Sequence, residues 1–152
     1  MRKAMYLIAL LASLTLLFAA NPMTGKWKLN QSKSKSTTGT VPKEETIVIA
    51  DEGDKLNVTI SGTDDDGSPI MISYVVPVAG GAGEMKEGAA YDAVSSNRVD
   101  ENTLDTTFTK DGKPVSATRT VTSKDGKTMN MTVKRQDAQG KPSSSNLTFD
   151  KQ

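Results

Sequence analysis

Three short runs between residues 103 and 134 constrain this chain more than any other feature. Leu104, Thr106 and Phe108 occupy alternate positions; so do Val115, Ala117, Arg119 and Val121, and then Met129, Met131 and Val133. Two similar tetrapeptides separate the runs, Lys110-Asp111-Gly112-Lys113 and Lys124-Asp125-Gly126-Lys127. A period of two marks strands with one buried face, and Asp-Gly between such runs is a strong hairpin signal. The segment is therefore expected to fold as an antiparallel meander whose same-parity residues share one interior.

The same rhythm extends towards the N-terminus. Gly25 to Leu29 reads as a short strand with Trp27 and Leu29 on one face. Residues 30–43 are rich in Ser, Thr and Lys and have too few apolar residues for an amphipathic helix, so they read as an extended connection or loose loop. Ile47 and Ile49 mark a second strand, Leu56, Val58 and Ile60 a third, and Ile70, Ile72, Tyr74 and Val76 a fourth. Asp51-Glu52-Gly53-Asp54 and Asp64-Asp65-Asp66-Gly67 supply the turns between them. Residues 77–90 break the pattern with Gly80, Gly81, Gly83 and Gly88 and read as a long flexible loop. Tyr91 and Ala93 open a weaker strand ending near Asn97, and a final strand carries Leu147 and Phe149.

About nine strands in hairpin order, with no helix among them, imply an all-β domain. Eight to ten sequentially paired strands usually close to remove their edges. A two-sheet sandwich would need longer cross-sheet connections, and only residues 30–43 and 77–90 offer any. The expected architecture is an antiparallel up-and-down β-barrel of about 8–10 strands over residues 21–152, preceded by a signal-peptide helix.

That helix is expected over residues 1–20. Arg2 and Lys3 form a basic start, Tyr6 to Phe18 an apolar run, and Ala19-Ala20 a small-residue exit. The run is short for a membrane span, which takes about 20 apolar residues. The expectation is export to a periplasmic or extracellular space, with no stable membrane insertion once the signal is cleaved. Two of the 19 basic residues fall in this segment, leaving 17 against 18 acidic ones, a balance that suggests no nucleic-acid partner. With no cysteine, burial rather than disulfides must hold the domain.

Two features resemble the lipocalin and fatty-acid-binding-protein group of barrels. One is Gly25-x-Trp27 at the first strand. The other is the C-terminal order Thr106-Thr107-Phe108-Thr109-Lys110-Asp111-Gly112-Lys113, Thr118-Arg119-Thr120-Val121, Asp125-Gly126-Lys127 and Phe149-Asp150-Lys151. The chain is also similar to small exported bacterial proteins described as lipocalin-like. The resemblance implies a barrel enclosing a cavity for a small hydrophobic or amphipathic ligand. It matches Arg119 to an inward arginine that holds a ligand carboxylate. It also implies an Arg-x-Tyr pair on the final strand, where this chain has Leu147 and Phe149, and a two-helix lid that residues 30–43 are too few and too polar to build.

The candidate ligand-binding residues are Arg119, Tyr74, Tyr91 and Met131. Arg119 shares parity with Val115, Ala117 and Val121 and is expected to point inward, where a guanidinium needs a partner. Three readings fit it: an anionic ligand head, stacking on Trp27 as an arginine does in lipocalins, or reaching water from a strand end. Met71, Met129 and Met131 suit either an adaptable cavity or ordinary core. Tyr74 and Tyr91 are either ligand-facing hydroxyls or core rings with polar tips. Asp64-Asp65-Asp66-Gly67 lacks the outer ligands of a calcium loop, and the glycines near Lys86 lack phosphate-loop spacing. With no histidine and no cysteine there is no Ser-His-Asp or Cys-His triad and no imidazole or thiolate metal site. Asp and Glu cluster in turns and loops rather than on inward strand faces. The sequence therefore points to a binding barrel without enzymatic activity or cofactor; the alternative is a solid barrel with a structural or protein-interaction role.

Overall fold

The computed structural model describes residues 20–38, 40–136 and 139–152, so the expected signal peptide lies outside the described residues but for Ala20. The strands are β1 (Gly25–Leu29), β2 (Lys35–Ser36), β3 (Glu44–Asp51), β4 (Lys55–Thr63), β5 (Pro69–Pro77) and β6 (Gly80–Ala82). They continue as β7 (Glu84–Glu87), β8 (Ala93–Asp100), β9 (Thr103–Lys110), β10 (Lys113–Thr122), β11 (Thr128–Gln136) and β12 (Pro142–Lys151). A single 3-10 turn, Gln31–Lys33, is the one helical piece among the described residues. All twelve strands belong to one sheet, ordered β6-β8-β9-β10-β11-β12-β1-β3-β4-β5-β7, with β2 paired to β12.

The two ends of that order, β6 and β7, are consecutive pieces of chain. β6 pairs antiparallel with β8, and β7 pairs antiparallel with β5. One pass through residues 80–87 thus joins the sheet's edges and wraps it into a nearly closed barrel. This corrects the reading of residues 77–90 as a flexible loop: their glycines let two strand edges approach the same segment. Gly83 sits at the change of partner, its N–H donating to the Val94 carbonyl at 2.9 Å. A β-carbon there would lie 2.4 Å from the Val75 carbonyl oxygen and 2.7 Å from Val76. Residues 30–43 also carry more order than expected, since β2 pairs Ser36 with Ser145 and Lys35 with Asn146.

The expected meander is present, with one reversal of parity. Asp111 and Gly112 both adopt positive φ, 50° and 75°, which is the two-residue hairpin that Asp-Gly favours. Lys110 pairs with Lys113 and Thr109 with Pro114, but Phe108 then pairs with Ser116, because a bulge lies between Pro114 and Ser116. Proline has no N–H for the ladder, so a bulge is where it is tolerated inside a strand. The extra residue flips everything after it, because side chains alternate with a period of two. Ser116, Thr120 and Thr122 are therefore buried, while Ala117 and Arg119 face outward and Val121 is 37% exposed.

Trp27, Met23, Leu56, Val76, Met129 and Phe149 are wholly buried and plug one end of the barrel. The Trp27 indole N–H donates to the Met23 carbonyl at 2.9 Å, satisfying the donor that burial would otherwise strand. The cation over the Trp27 ring is Lys151, with Nζ 5.1 Å from the centroid, and not Arg119. Towards the other end, Ile70, Ile72, Val41 and Tyr91 are only partly buried.

If closure depends on the crossing at Gly83, Gly83→Ala is expected to lower stability by about 1–3 kcal/mol, the usual cost of overpacking. Urea unfolding monitored by Trp27 fluorescence measures this; an unchanged midpoint would show that the wall does not close there.

Candidate functional site

At the less packed end the barrel holds a cavity of about 470 Å³. Its floor and one wall are apolar: Ile60 and Ile72 from β4 and β5, Met131 and Val133 from β11, Leu147 from β12 and Phe108 from β9. Hydroxyls stand beside β11 on the same stretch of wall, Ser116 and Thr118 from β10 and Ser143 and Ser145 from β12, with Thr118 and Ser145 both in register with Val133. The mouth is framed by Thr38, Thr40 and Val41 before β3, by the β4–β5 turn, and by residues 88–91 before β8. The parity reversal in β10 puts Ser116 and Thr118 here; without the bulge Val115 and Ala117 would take their places.

Of the four residues expected to bind ligand, the structure brings Tyr91 and Met131 to the cavity wall. Tyr91 packs on Phe108 at 4.7 Å between ring centroids, with the planes tilted by 30°. Tyr74 meets the same Phe108 edge-on at 5.2 Å, from within the core rather than from the cavity lining. Burial raises the pKa of its phenol, and a hydrogen bond with Thr106 partly offsets that. Its hydroxyl is thus occupied by the protein.

Arg119 is a correction. It lies outside the barrel, where Nε and an Nη donate to the two Asp105 carboxylate oxygens, each at 2.7 Å. Arg119 pairs with Asp105 across β9 and β10 because the bulge shifts the register by one residue. The paired guanidinium lowers the Asp105 pKa, and Asp105 in turn raises that of Arg119. Arg119 neither lines the cavity nor stacks on Trp27. Met71 is 49% exposed and sits at the rim rather than inside.

The residue that sequence reasoning missed is Glu45. It lies in β3 with its side chain turned into the cavity, and only 7% of its surface is exposed. This overturns the expectation that no carboxylate occupies an inward strand position. The signal was present: Glu45 shares the parity of Ile47 and Ile49, both buried. Asp64 and Asp65 on the β4–β5 turn, with Arg135 from β11, are the other charged groups lining the cavity. Desolvation pushes the Glu45 carboxyl up to about 7, Arg135 pulls it down in part, and Asp64 pushes it further up.

The sign of the resulting stability effect follows from proton binding. The folded carboxyl keeps its proton up to about pH 7, whereas in the unfolded chain it releases it near the ordinary value of 4.5. The folded state therefore holds more protons between those values, so stability falls as pH rises from 4.5 to about 7 and levels off above it. Glu45→Gln is expected to remove that loss, leaving the variant more stable than the parent by roughly 3 kcal/mol at pH 8 and nearly equal at pH 4. Thermal unfolding of both proteins across this range measures it; parallel curves would mean that Glu45 titrates as an exposed carboxyl does.

Comparison with known proteins bears on the fold. No protein-family model matches the chain, and no curated protein matches it. Among solved structures, zebrafish ileal bile acid-binding protein in complex with cholic acid is similar, with a TM-score of 0.52 and 17% identity. That match covers 86% of this chain and 99% of the other. A redesigned β-barrel bound to DFHBI matches at a TM-score of 0.48 and 13% identity, over 86% of this chain and 99% of that one. The barrel thus has the fold of the lipocalin and fatty-acid-binding-protein group, as the G-x-W strand and the C-terminal hairpins led one to expect.

Proposed function

We propose that this chain is an exported, non-catalytic barrel that binds one small amphipathic molecule in its interior. The observation that carries the reading is the cavity of about 470 Å³, which falls within the roughly 300–1,000 Å³ usual for small-molecule sites. Its lining mixes two kinds of side chain: isoleucine, methionine, valine and leucine, with serine and threonine gathered on β10 and β12 either side of β11. A molecule with an apolar body and polar substituents along one edge satisfies both. A wholly apolar guest would leave the hydroxyls of Ser116 and Thr118 without water or partner, at a cost of about 1–3 kcal/mol per group.

The similar zebrafish barrel is described in complex with cholic acid, whose amphipathic body, apart from its acid group, is of the kind this lining suits. Absence of catalysis is proposed on the sequence, which supplies neither histidine nor cysteine. Export is proposed on the basic, apolar and small-residue order of residues 1–20.

Titration with an environment-sensitive apolar dye is expected to show saturable binding at one site per chain. Thr118→Trp, which fills the cavity from β10, is expected to weaken that binding at least about tenfold, a loss of ~1.4 kcal/mol, while circular dichroism shows the strands retained. Arg119→Ala is expected to leave dye affinity unchanged, since its side chain lies outside. Dye binding that fails to saturate, or that survives Thr118→Trp, would favour a solid barrel acting through its surface.

A further inference from the structure

We propose that the cavity selects a cationic amphiphile, an organic ammonium on a short apolar body, with the ammonium seated against the Glu45 carboxyl. This rests on the reading of the barrel as a small-molecule binder and narrows it to one charge class.

The first ground is that Glu45 is buried in the cavity wall with no close partner, Arg135 acting on its carboxyl only through space. Among the described residues none donates a hydrogen bond to its carboxyl or forms an ion pair with it. A buried carboxylate is costly unless it is paired, and folds seldom keep one that serves nothing. The β3 strand has ample alternatives at this parity, as Ile47 and Ile49 show. The register partner of Glu45 on β4 is Gly62, where a β-carbon would lie 2.1 Å from the Glu44 carbonyl oxygen. Glu45 therefore has no side chain beside it on β4.

The second ground is the charge around it. Three carboxyls, Glu45, Asp64 and Asp65, line the cavity, against the single guanidinium of Arg135. The other segments facing Glu45 bring Thr38, Thr40 and Val41 before β3, Ser143 and Ser145 from β12, and Tyr91. None of these offers a cation near neutral pH. Arg135 and Asp65 are both exposed at the mouth, where water screens them alike, while Asp64 is half-buried. An anionic head would meet a net negative site; an ammonium would supply the charge that Glu45 lacks.

The third ground is the linkage between them. A carboxyl held near 7 by burial is half protonated at neutral pH, and a bound cation favours the ionised form. Affinity for a permanent cation therefore rises as pH passes upward through 7, and affinity for a permanent anion falls.

The experiment uses three probes of equal chain length: decyltrimethylammonium, decanesulfonate and decanol, each below its aggregation threshold. Each displaces a bound fluorescent dye from the wild-type chain and from Glu45→Gln, at pH 6 and pH 8. Decyltrimethylammonium is expected to bind about tenfold or more tightly than decanesulfonate at pH 8. That preference is expected to shrink severalfold at pH 6 and to be largely lost in Glu45→Gln. Asp64→Asn, at the exposed turn, is expected to reduce it less. The pH comparison on the wild-type chain stands even if Glu45→Gln folds poorly. Equal or tighter binding of decanesulfonate, or a preference untouched by both pH and Glu45→Gln, overturns the proposal. If decanol displaces dye as well as the ammonium does, the charge class falls and the cavity stands. If none of the three displaces dye, the binding reading falls with it.

Discussion

Hydrogen bonding around the barrel has to close on itself, and it can do so only through residues 80–87. β5 and β8 run in the same direction, so the two edges of the meander cannot complete an antiparallel ladder with each other. A segment running the opposite way must lie between them, its first half against β8 and its second against β5. Such a segment changes partners part-way, and at that point the backbone is flanked on both sides at once. Only a residue without a β-carbon fits, which is the role of Gly83. Unpaired edges would otherwise stand open to pairing with other chains. The cavity inherits its shape from this closure, because residues 88–91 at its mouth lead directly out of the bridging segment.

The sequence made the outline legible where local rules agree with the global fold. Leu56, Val58, Ile60, Met129, Met131 and Val133 are buried as their alternation implies. Asp111-Gly112 makes the hairpin its residues prefer. Lys124-Asp125-Gly126-Lys127 repeats the same four residues but forms a wider turn, closed by Ser123 and Thr128 at 2.8 Å, with the Asp125 side chain accepting from Lys127. Strand ends, rather than the tetrapeptide, decide which turn results. Residues 77–90 were opaque because their glycines serve tertiary closeness, and glycine reads locally as flexibility.

Arg119 shows how one backbone irregularity redirects a whole argument. Val115, Ala117 and Val121 look like an inward face, and period-two logic then carries Arg119 inside with them. Pro114 is the signal against that reading, since an interior strand position without an N–H calls for a bulge. Once the register slips by one, the same strand turns threonines and serine inward and pairs Arg119 with Asp105 in water. The interior gains a hydroxyl-bearing wall where an aliphatic one was expected. Glu45 was overlooked for the opposite reason: the alternation was intact, but a carboxyl beside isoleucines looks like a strand end.

These two departures belong together. A barrel of this size can be filled by its own side chains or can keep room for one guest. Here the end around Trp27 is filled: large side chains meet there, and the Trp27 indole N–H is satisfied by the Met23 carbonyl. The opposite end keeps short hydroxyl side chains on one wall and one buried carboxyl on another, and neither choice maximises burial. Replacing Thr118 and Glu45 by aliphatic residues would extend the core and remove a desolvated charge, which large-scale repacking of cores shows to be tolerated. A chain that forgoes that stability at one end only, and places acid and hydroxyl across the same space, has a polarity gradient built into its interior. That space presents a carboxyl on β3, hydroxyls on β10 and β12, and apolar side chains on β4, β5 and β11 together.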